Sequence, residues 1–154
     1  MNRYEQLLSS SDENIVIIEK NFRSKAKGLC KGNKIGISKD IKSINEKACV
    51  LSEELGHHYT SAGNIIDLQD TMNRKQECRA RLWAYDKMIG LVGIINAFNA
   101  NCRNRHEIAE FLDVTEEFLN DALECYKKKY VICKIVDNYV IYFIPSLSVA
   151  KIFE

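Results

Sequence analysis

The order of hydrophobic patterns along the chain is the feature that most restricts its fold. Three short β-branched or alternating runs predict strands, at residues 14–19, 28–30 and 34–38. The last two flank a turn in which we expect Gly32 and Asn33 to adopt positive φ. The first forty residues are therefore expected to form a small sheet, preceded by a short helix at residues 4–8.

Helical periodicity replaces this pattern after residue 45. Apolar residues recur at three- and four-residue spacing as far as Tyr59, and Gly63 is the expected stop. A polar stretch at residues 67–75 then leads into four helical segments, at residues 76–89, 91–99, 106–112 and 115–129. Thr115 is expected to cap the last of them. Two short strands close the chain as a hairpin, at residues 131–136 and 139–144.

Strand-rich ends around a helical middle predict the α+β class. No linker rich in Pro, Gly or Ser divides the chain, so we expect a single domain over residues 1–154. Within it, residues 1–89 would hold the sheet and the candidate site helices, and residues 90–154 a helical region with the C-terminal hairpin.

Composition excludes several functional classes. The 22 Lys and Arg residues balance 21 Asp and Glu residues, which provides no general attraction to nucleic acid or anionic membranes. No apolar run approaches the roughly 18 residues that span a bilayer, and the polar start is not a signal peptide. Six cysteines occur without any C-x-x-C pair, so we expect reduced, mostly buried thiols in a cytoplasmic protein.

The segment Leu51-Ser52-Glu53-Glu54-Leu55-Gly56-His57-His58 carries the strongest chemical signal. On a helix, Glu53 and His57 stand four residues apart, so both side chains leave the same face and suit one metal ion. Glu54 beside them is placed to hold a water molecule as general base. This spacing is that of the H-E-x-x-H metallopeptidase helix, with Glu53 at the first histidine position.

A second frame uses Glu54 and His58, which are also four apart. That frame puts Leu55 where the general base belongs, so we prefer the first and expect His58 to act as a neighbour or substrate contact. A catalytic zinc usually takes three protein ligands, and Glu77 on the next helix is the best candidate for the third. The small side chains of Ala80 and Ala84 would let the two helices approach closely.

Two segments together resemble the ImmA/IrrE family of bacterial and phage metallopeptidases. They are ACVLSEELGHHYTS at residues 48–61 and ECRARLWA at residues 77–84. Flanking segments also fit the form found on mobile elements of Gram-positive bacteria, at residues 28–30, 107–112, 114–118 and 137–141. The resemblance therefore extends over nearly the whole chain.

The resemblance implies a zincin-like fold and a zinc-dependent endopeptidase that cleaves a helix-turn-helix repressor encoded beside it. It also implies that His57 and Glu77 are zinc ligands and that Glu54 is the general base, with Glu53 replacing the usual histidine. Two glutamate ligands would neutralise Zn²⁺ more than one, which makes the metal a weaker Lewis acid. Oxygen ligands would also admit manganese or another divalent ion.

Other residues have supporting roles in this hypothesis. Residues 34–38 would bind an extended substrate by edge-strand addition. Three side chains are candidates for substrate or oxyanion contacts: His58, Tyr59 and Tyr85.

The alternative function is a catalytically weak or inert regulator that binds a repressor protein or DNA. Residues 106–129 followed by the hairpin look like a winged helix, and Lys127-Lys128-Lys129 is a possible phosphate contact. Direct DNA binding is disfavoured because acidic residues dominate the helix pair: Glu107, Glu110, Glu116, Glu117 and Asp121.

Overall fold

The computed structural model describes residues 1–60 and 70–153, with side chains throughout except at residues 70–73. The chain divides into two compact units, Met1–Lys87 and Met88–Glu154. Each unit combines helices with a three-stranded sheet, so the α+β class is confirmed. In the described residues, no helix is both long and apolar enough to cross a membrane.

The first unit begins with a helix and a small sheet, followed by two longer helices. The elements are α1 (Arg3–Ser10), β1 (Val16–Lys20), β2 (Gly28–Lys31), β3 (Lys34–Ser38), α2 (Ile44–Thr60) and α3 (Asp70–Met88), whose last residue already belongs to the second unit. Asn2 caps α1 through a reciprocal capping box with Glu5. The core forms where β3 packs against α2: Ile35 and Ile37 of β3 and Leu51 of α2 are all fully buried.

The sheet has the order β1-β3-β2, with β1 parallel and β2 antiparallel to β3. The prediction that residues 34–38 form a substrate-binding edge is therefore wrong. β1 pairs with β3 on the side that the hairpin leaves open, so both hydrogen-bonding sides of β3 are occupied. The edges belong to β1 and β2.

The hairpin turn differs from expectation at one residue. Gly32 has a φ of 62°, as predicted, but Asn33 has no positive φ. A two-residue turn with positive φ at the first central position is typical of type II′. Asn33 instead connects the turn to β1: its carbonyl oxygen accepts from the Val16 N–H at 2.8 Å, and its amide donates to the Asn14 carbonyl at 3.0 Å.

Helices α2 and α3 cross with their backbones in close contact at Gly56. A Cβ added at Gly56 would lie 2.2 Å from the carbonyl oxygen of Ala80, so only glycine fits at this crossing. Ala80 and Ala84 are fully buried, as expected for small residues that allow close approach. α3 starts at Asp70 rather than residue 76, so part of the predicted polar stretch is helical. The predicted stop at Gly63 lies outside the described residues.

The second unit contains three helices followed by three strands. The elements are α4 (Gly90–Asn99), α5 (Arg105–Leu112), α6 (Glu116–Tyr130), β4 (Cys133–Val136), β5 (Tyr139–Tyr142) and β6 (Ser148–Lys151). Thr115 caps α6 as predicted, since its hydroxyl accepts from the Phe118 N–H at 3.1 Å. The predicted terminal hairpin is present as β4 and β5, but β6 adds a third strand that the sequence did not indicate.

None of the six cysteines forms a disulfide, as expected, but the expectation that most are buried is wrong. Cys49 alone is buried; Cys78 is exposed and the other four are half-buried. Most of the thiols therefore occupy positions at the margins of the core.

We predict that Gly56→Ala will destabilise the protein by about 1–3 kcal/mol, because the added methyl group must push α2 away from the Ala80 carbonyl. Helix propensity alone would favour alanine by about 1 kcal/mol. Gly93→Ala is the matched control, since its Cβ meets only the flexible end of Leu112, at 3.3 Å. Urea denaturation measures the free energy of unfolding of both variants. A Gly56→Ala protein as stable as wild type would contradict the close contact.

Candidate functional site

The predicted site residues come together where the C-terminal half of α2 faces α3. α2 carries Glu53, Glu54 and His57, and α3 brings Glu77 to the same place. The contact between Gly56 and the Ala80 carbonyl holds the helices close enough for side chains to meet across them. The helix crossing thus positions His57 opposite Glu77.

His57 and Glu77 form the central pair of the site. The His57 Nε2 and Glu77 Oε2 atoms are 3.4 Å apart, and the side chains are 31% and 45% exposed. The other carboxylate oxygen of Glu77 accepts from Arg81 Nε at 3.2 Å, one turn along α3. Arg81 therefore fixes the carboxylate so that one oxygen remains directed at His57.

The spacing of this pair fits two ligands of one metal ion. Donor atoms about 2.1 Å from a tetrahedral Zn²⁺ stand about 3.4 Å apart, which is the observed separation. The same separation suits an ion pair if His57 is protonated. In the described residues, no group of three His, Cys, Asp or Glu side chains is arranged to hold a metal. Glu53, which the sequence paired with His57 as a ligand, thus does not complete a ready site with His57 and Glu77.

Glu54 lies between α2 and the edge strand β2. A Cβ added at Gly28 would stand 2.9 Å from Glu54 Cγ and 3.0 Å from Glu54 Oε1, so β2 passes directly over the carboxyl group. Burial, followed by the negative charges of Glu53 and Glu77, raises the pKa of Glu54 to about 7. Glu54 is therefore divided between its neutral and charged forms near neutral pH.

The charges around Glu54 make the site a concentrated acidic cluster. Burial and the nearby Glu54 raise the pKa of the Cys30 thiol, which places Cys30 of β2 beside the same carboxyl group. Burial opposes the charge of Arg81, but Glu77, Tyr85 and Glu53 outweigh it and raise the pKa of its guanidinium. Three carboxyl groups and one guanidinium thus share the site, an arrangement that favours a bound cation.

The three predicted contact residues lie in different places. The His58 Nδ1–H donates to the Gly32 carbonyl at 3.0 Å, which ties its ring to the hairpin turn. Tyr59 packs against Trp83 with ring centroids 5.2 Å apart, and its hydroxyl accepts from the Asp12 N–H at 3.4 Å. Tyr85 is only 4% exposed. None of these contacts joins Tyr59 to the His57–Glu77 pair.

Two site residues were given no role by sequence reasoning. Arg81 orients Glu77, and Gly28 leaves room for the Glu54 carboxyl under β2. The four-residue spacing of Glu77 and Arg81 on one helix was a readable signal for the first. Gly28 had no such signal, because its role depends on a strand that is distant in sequence from α2.

Comparisons of the chain with protein-family models, with curated proteins and with solved structures return no match.

We predict that Glu54 makes the metal-free protein less stable as pH rises. Its folded pKa of about 7 lies above the ordinary value of 4.5, so the stability it contributes is full below about pH 4.5 and is lost as pH rises through about 7. Glu54→Gln, which stays uncharged, should be more stable than wild type at pH 8 and should lose this advantage at pH 4.

Urea denaturation in the presence of a chelator measures this difference across the pH range. The exposed Glu13→Gln is the control and should follow wild type. Parallel curves for Glu54→Gln and wild type would show that Glu54 titrates normally.

Proposed function

We propose that this chain is a metal-dependent endopeptidase with a zincin-like core that hydrolyses a peptide bond in a protein substrate. The observation that carries the proposal is the half-buried Glu54 carboxyl next to the His57–Glu77 pair. A general base, two potential metal ligands and an edge strand converge there, as a peptidase of this class requires.

His57 and Glu77 would hold the metal, with Glu53 as third ligand after a side-chain rearrangement. A bound Zn²⁺ supplies Lewis acidity, which polarises the scissile carbonyl and lowers the pKa of water. Arg81 keeps Glu77 oriented, as hydrogen bonds to ligating carboxylates commonly do. One histidine and two glutamates form a harder and more negative ligand set than the usual two histidines and one glutamate, so manganese or another divalent ion is an alternative to zinc.

Glu54 would accept a proton from the attacking water and deliver it to the leaving amine. A general base works best when its pKa lies near the working pH, and a value of about 7 meets that condition. Its neighbours Glu53 and Glu77 raise the proton affinity of Glu54, and a bound cation would lower it. The acidic cluster thus supports both metal capture and proton transfer.

The substrate would bind along β2 rather than β3. In the antiparallel ladder, Lys27 O accepts from Ser38 N–H, so the backbone groups of Gly28 and Cys30 point away from β3 along the open edge. An extended peptide could pair with these groups as an added strand. Because Gly28 covers Glu54 without a side chain, the added strand would run beside the catalytic carboxyl.

We further propose a cytoplasmic helix-turn-helix repressor, encoded beside this protein on a phage or mobile element, as the substrate. The family resemblance alone supports this choice. Direct DNA binding is disfavoured because the exposed face of α6 begins with acidic residues, Glu116, Glu117, Asp121 and Glu124. His106 at the junction of α5 and α6 is held between the carboxylates of Glu110 and Glu116.

The second candidate function is an inert regulator that retains this fold and binds a repressor. One observation favours it: the described residues form no three-ligand metal group. The experiment below separates the two functions.

We predict that wild-type protein binds close to one Zn²⁺ or Mn²⁺ and cleaves members of a proteome-derived peptide library. Glu54→Gln should reduce cleavage at least about a hundredfold while metal content is retained, because the base is lost and the ligands remain. His57→Ala, Glu77→Ala and Glu53→Ala should each lose metal. Mass spectrometry of new peptide termini and elemental analysis of the proteins provide the measurements.

Glu13→Gln, remote from the cluster, serves as control for both readouts. Metal binding that persists in Glu53→Ala removes Glu53 from the ligand set. Absence of both metal and cleavage in the wild type favours the inert regulator. Cleavage by Glu54→Gln at the wild-type rate would overturn the assignment of Glu54 as the general base.

A separate prediction concerns substrate binding at β2. Cys30→Pro removes one outward N–H, while the bonds that Lys31 and Leu29 form with β3 remain. Loss of one backbone hydrogen bond should lower kcat/KM about five- to tenfold. Cys30→Ala keeps the N–H and should cleave like wild type; equal loss in both variants would indicate that the thiol, not strand addition, matters.

A further inference from the structure

A cavity of about 350 Å³ lies within the first unit, on the side of α2 that faces away from Glu53 and His57. It is open to solvent on one side and is lined by residues at the end of α1 and on α2 and α3. Leu7 and Leu55, which are 4% and 2% exposed, form an apolar floor. Its volume is near the lower end of the roughly 300–1,000 Å³ found for ligand pockets, so a small molecule fits best.

Two aromatic rings form one wall of this cavity. Tyr59 of α2 and Trp83 of α3 are tilted by 32° with their centroids 5.2 Å apart. Tyr59 is 40% exposed although it lies at the end of a core helix. Exposed ring faces above an apolar floor favour an aromatic or large apolar group.

Two opposite charges line the rim. Asp12 follows α1 and its N–H donates to the Tyr59 hydroxyl, whereas Lys87 stands one turn beyond Trp83 on α3. Within the part of the chain that the structure describes, neither the Asp12 carboxylate nor the Lys87 ammonium forms an ion pair within 4.0 Å.

The remaining polar groups on the rim are already engaged. The hydroxyls of Ser10 and Ser11 donate to carbonyl oxygens of α1 at 3.4 Å and 2.9 Å. The Asp12 and Lys87 charges are therefore the groups best placed to recognise a polar ligand.

We propose that this cavity binds a free α-amino acid with an aromatic or large apolar side chain. The side chain would lie on Leu7 and Leu55 against the Tyr59 and Trp83 rings, the α-carboxylate would meet Lys87, and the α-ammonium would meet Asp12. A zwitterion matches one negative and one positive group on the rim, whereas a ligand with a single charge satisfies only one of them. The site is independent of the acidic cluster around Glu54 and of the proposed peptidase activity.

Trp83 provides a direct test because it is the single tryptophan of the chain and lines the cavity. L-Phenylalanine added to the full-length protein should change Trp83 fluorescence saturably, with a Kd on the order of 0.1–1 mM. Three related molecules each lack one of its groups: glycine lacks the apolar side chain, 3-phenylpropionate lacks the ammonium, and phenethylamine lacks the carboxylate. Each should bind about tenfold more weakly than L-phenylalanine, or worse. Calorimetry in parallel detects binding that leaves the fluorescence unchanged.

Charge variants assign the two ends of the ligand. Lys87→Gln should weaken L-phenylalanine and 3-phenylpropionate about tenfold and leave phenethylamine unaffected, while Asp12→Asn should weaken L-phenylalanine and phenethylamine only. The exposed Lys25→Gln controls for overall charge. No saturable binding by either method, glycine binding as tight as L-phenylalanine, or equal effects of Lys87→Gln and Lys25→Gln would overturn the proposal.

Discussion

The backbone contact between Gly56 of α2 and the Ala80 carbonyl of α3 is the constraint on which the first unit depends. Because no side chain separates the helices there, residues on either side of the crossing must meet at short range. On one side His57 reaches Glu77. On the other side the Tyr59 ring packs on α3 and forms a wall of the cavity. One crossing therefore sets the geometry of both candidate sites.

The acidic cluster shows a conflict between stability and chemistry. Three glutamates stand near one another on a partly buried surface, and Arg81 donates a hydrogen bond to Glu77. The repulsion is relieved when Glu54 takes up a proton. A bound cation would relieve it as well and would let Glu54 ionise. Such strained charge arrangements are typical of sites selected for reactivity rather than for stability.

The parts of the structure that sequence patterns predicted are those with local signals. The three- and four-residue spacing of apolar residues as far as Tyr59 predicted helix α2, and Thr115 predicted the start of α6. The central position of β3 could not be predicted, because β1 pairs with it across a long connection and no local pattern encodes that register. β6 was missed because Ser148–Lys151 is short and half polar.

The same division holds for the site. Glu77 could be chosen from its helix, but its distance from His57 depends on how two helices cross. The direction of Tyr59 was readable: two residues past His57 on a helix is about 200° of rotation, so the two side chains leave opposite faces. The acidity of Glu54 depends on burial under β2, and only the tertiary structure supplies that information.

The location of the single tryptophan has a practical consequence for folding studies. Trp83 belongs to the first compact unit, whereas the second unit contains tyrosines but no tryptophan. Indole emission during denaturation therefore follows the loss of Met1–Lys87 alone, and backbone circular dichroism follows both units. Coincident transitions would mean that the two units unfold cooperatively in one step. Separated transitions would mean that each unit unfolds independently, with its own free energy of unfolding.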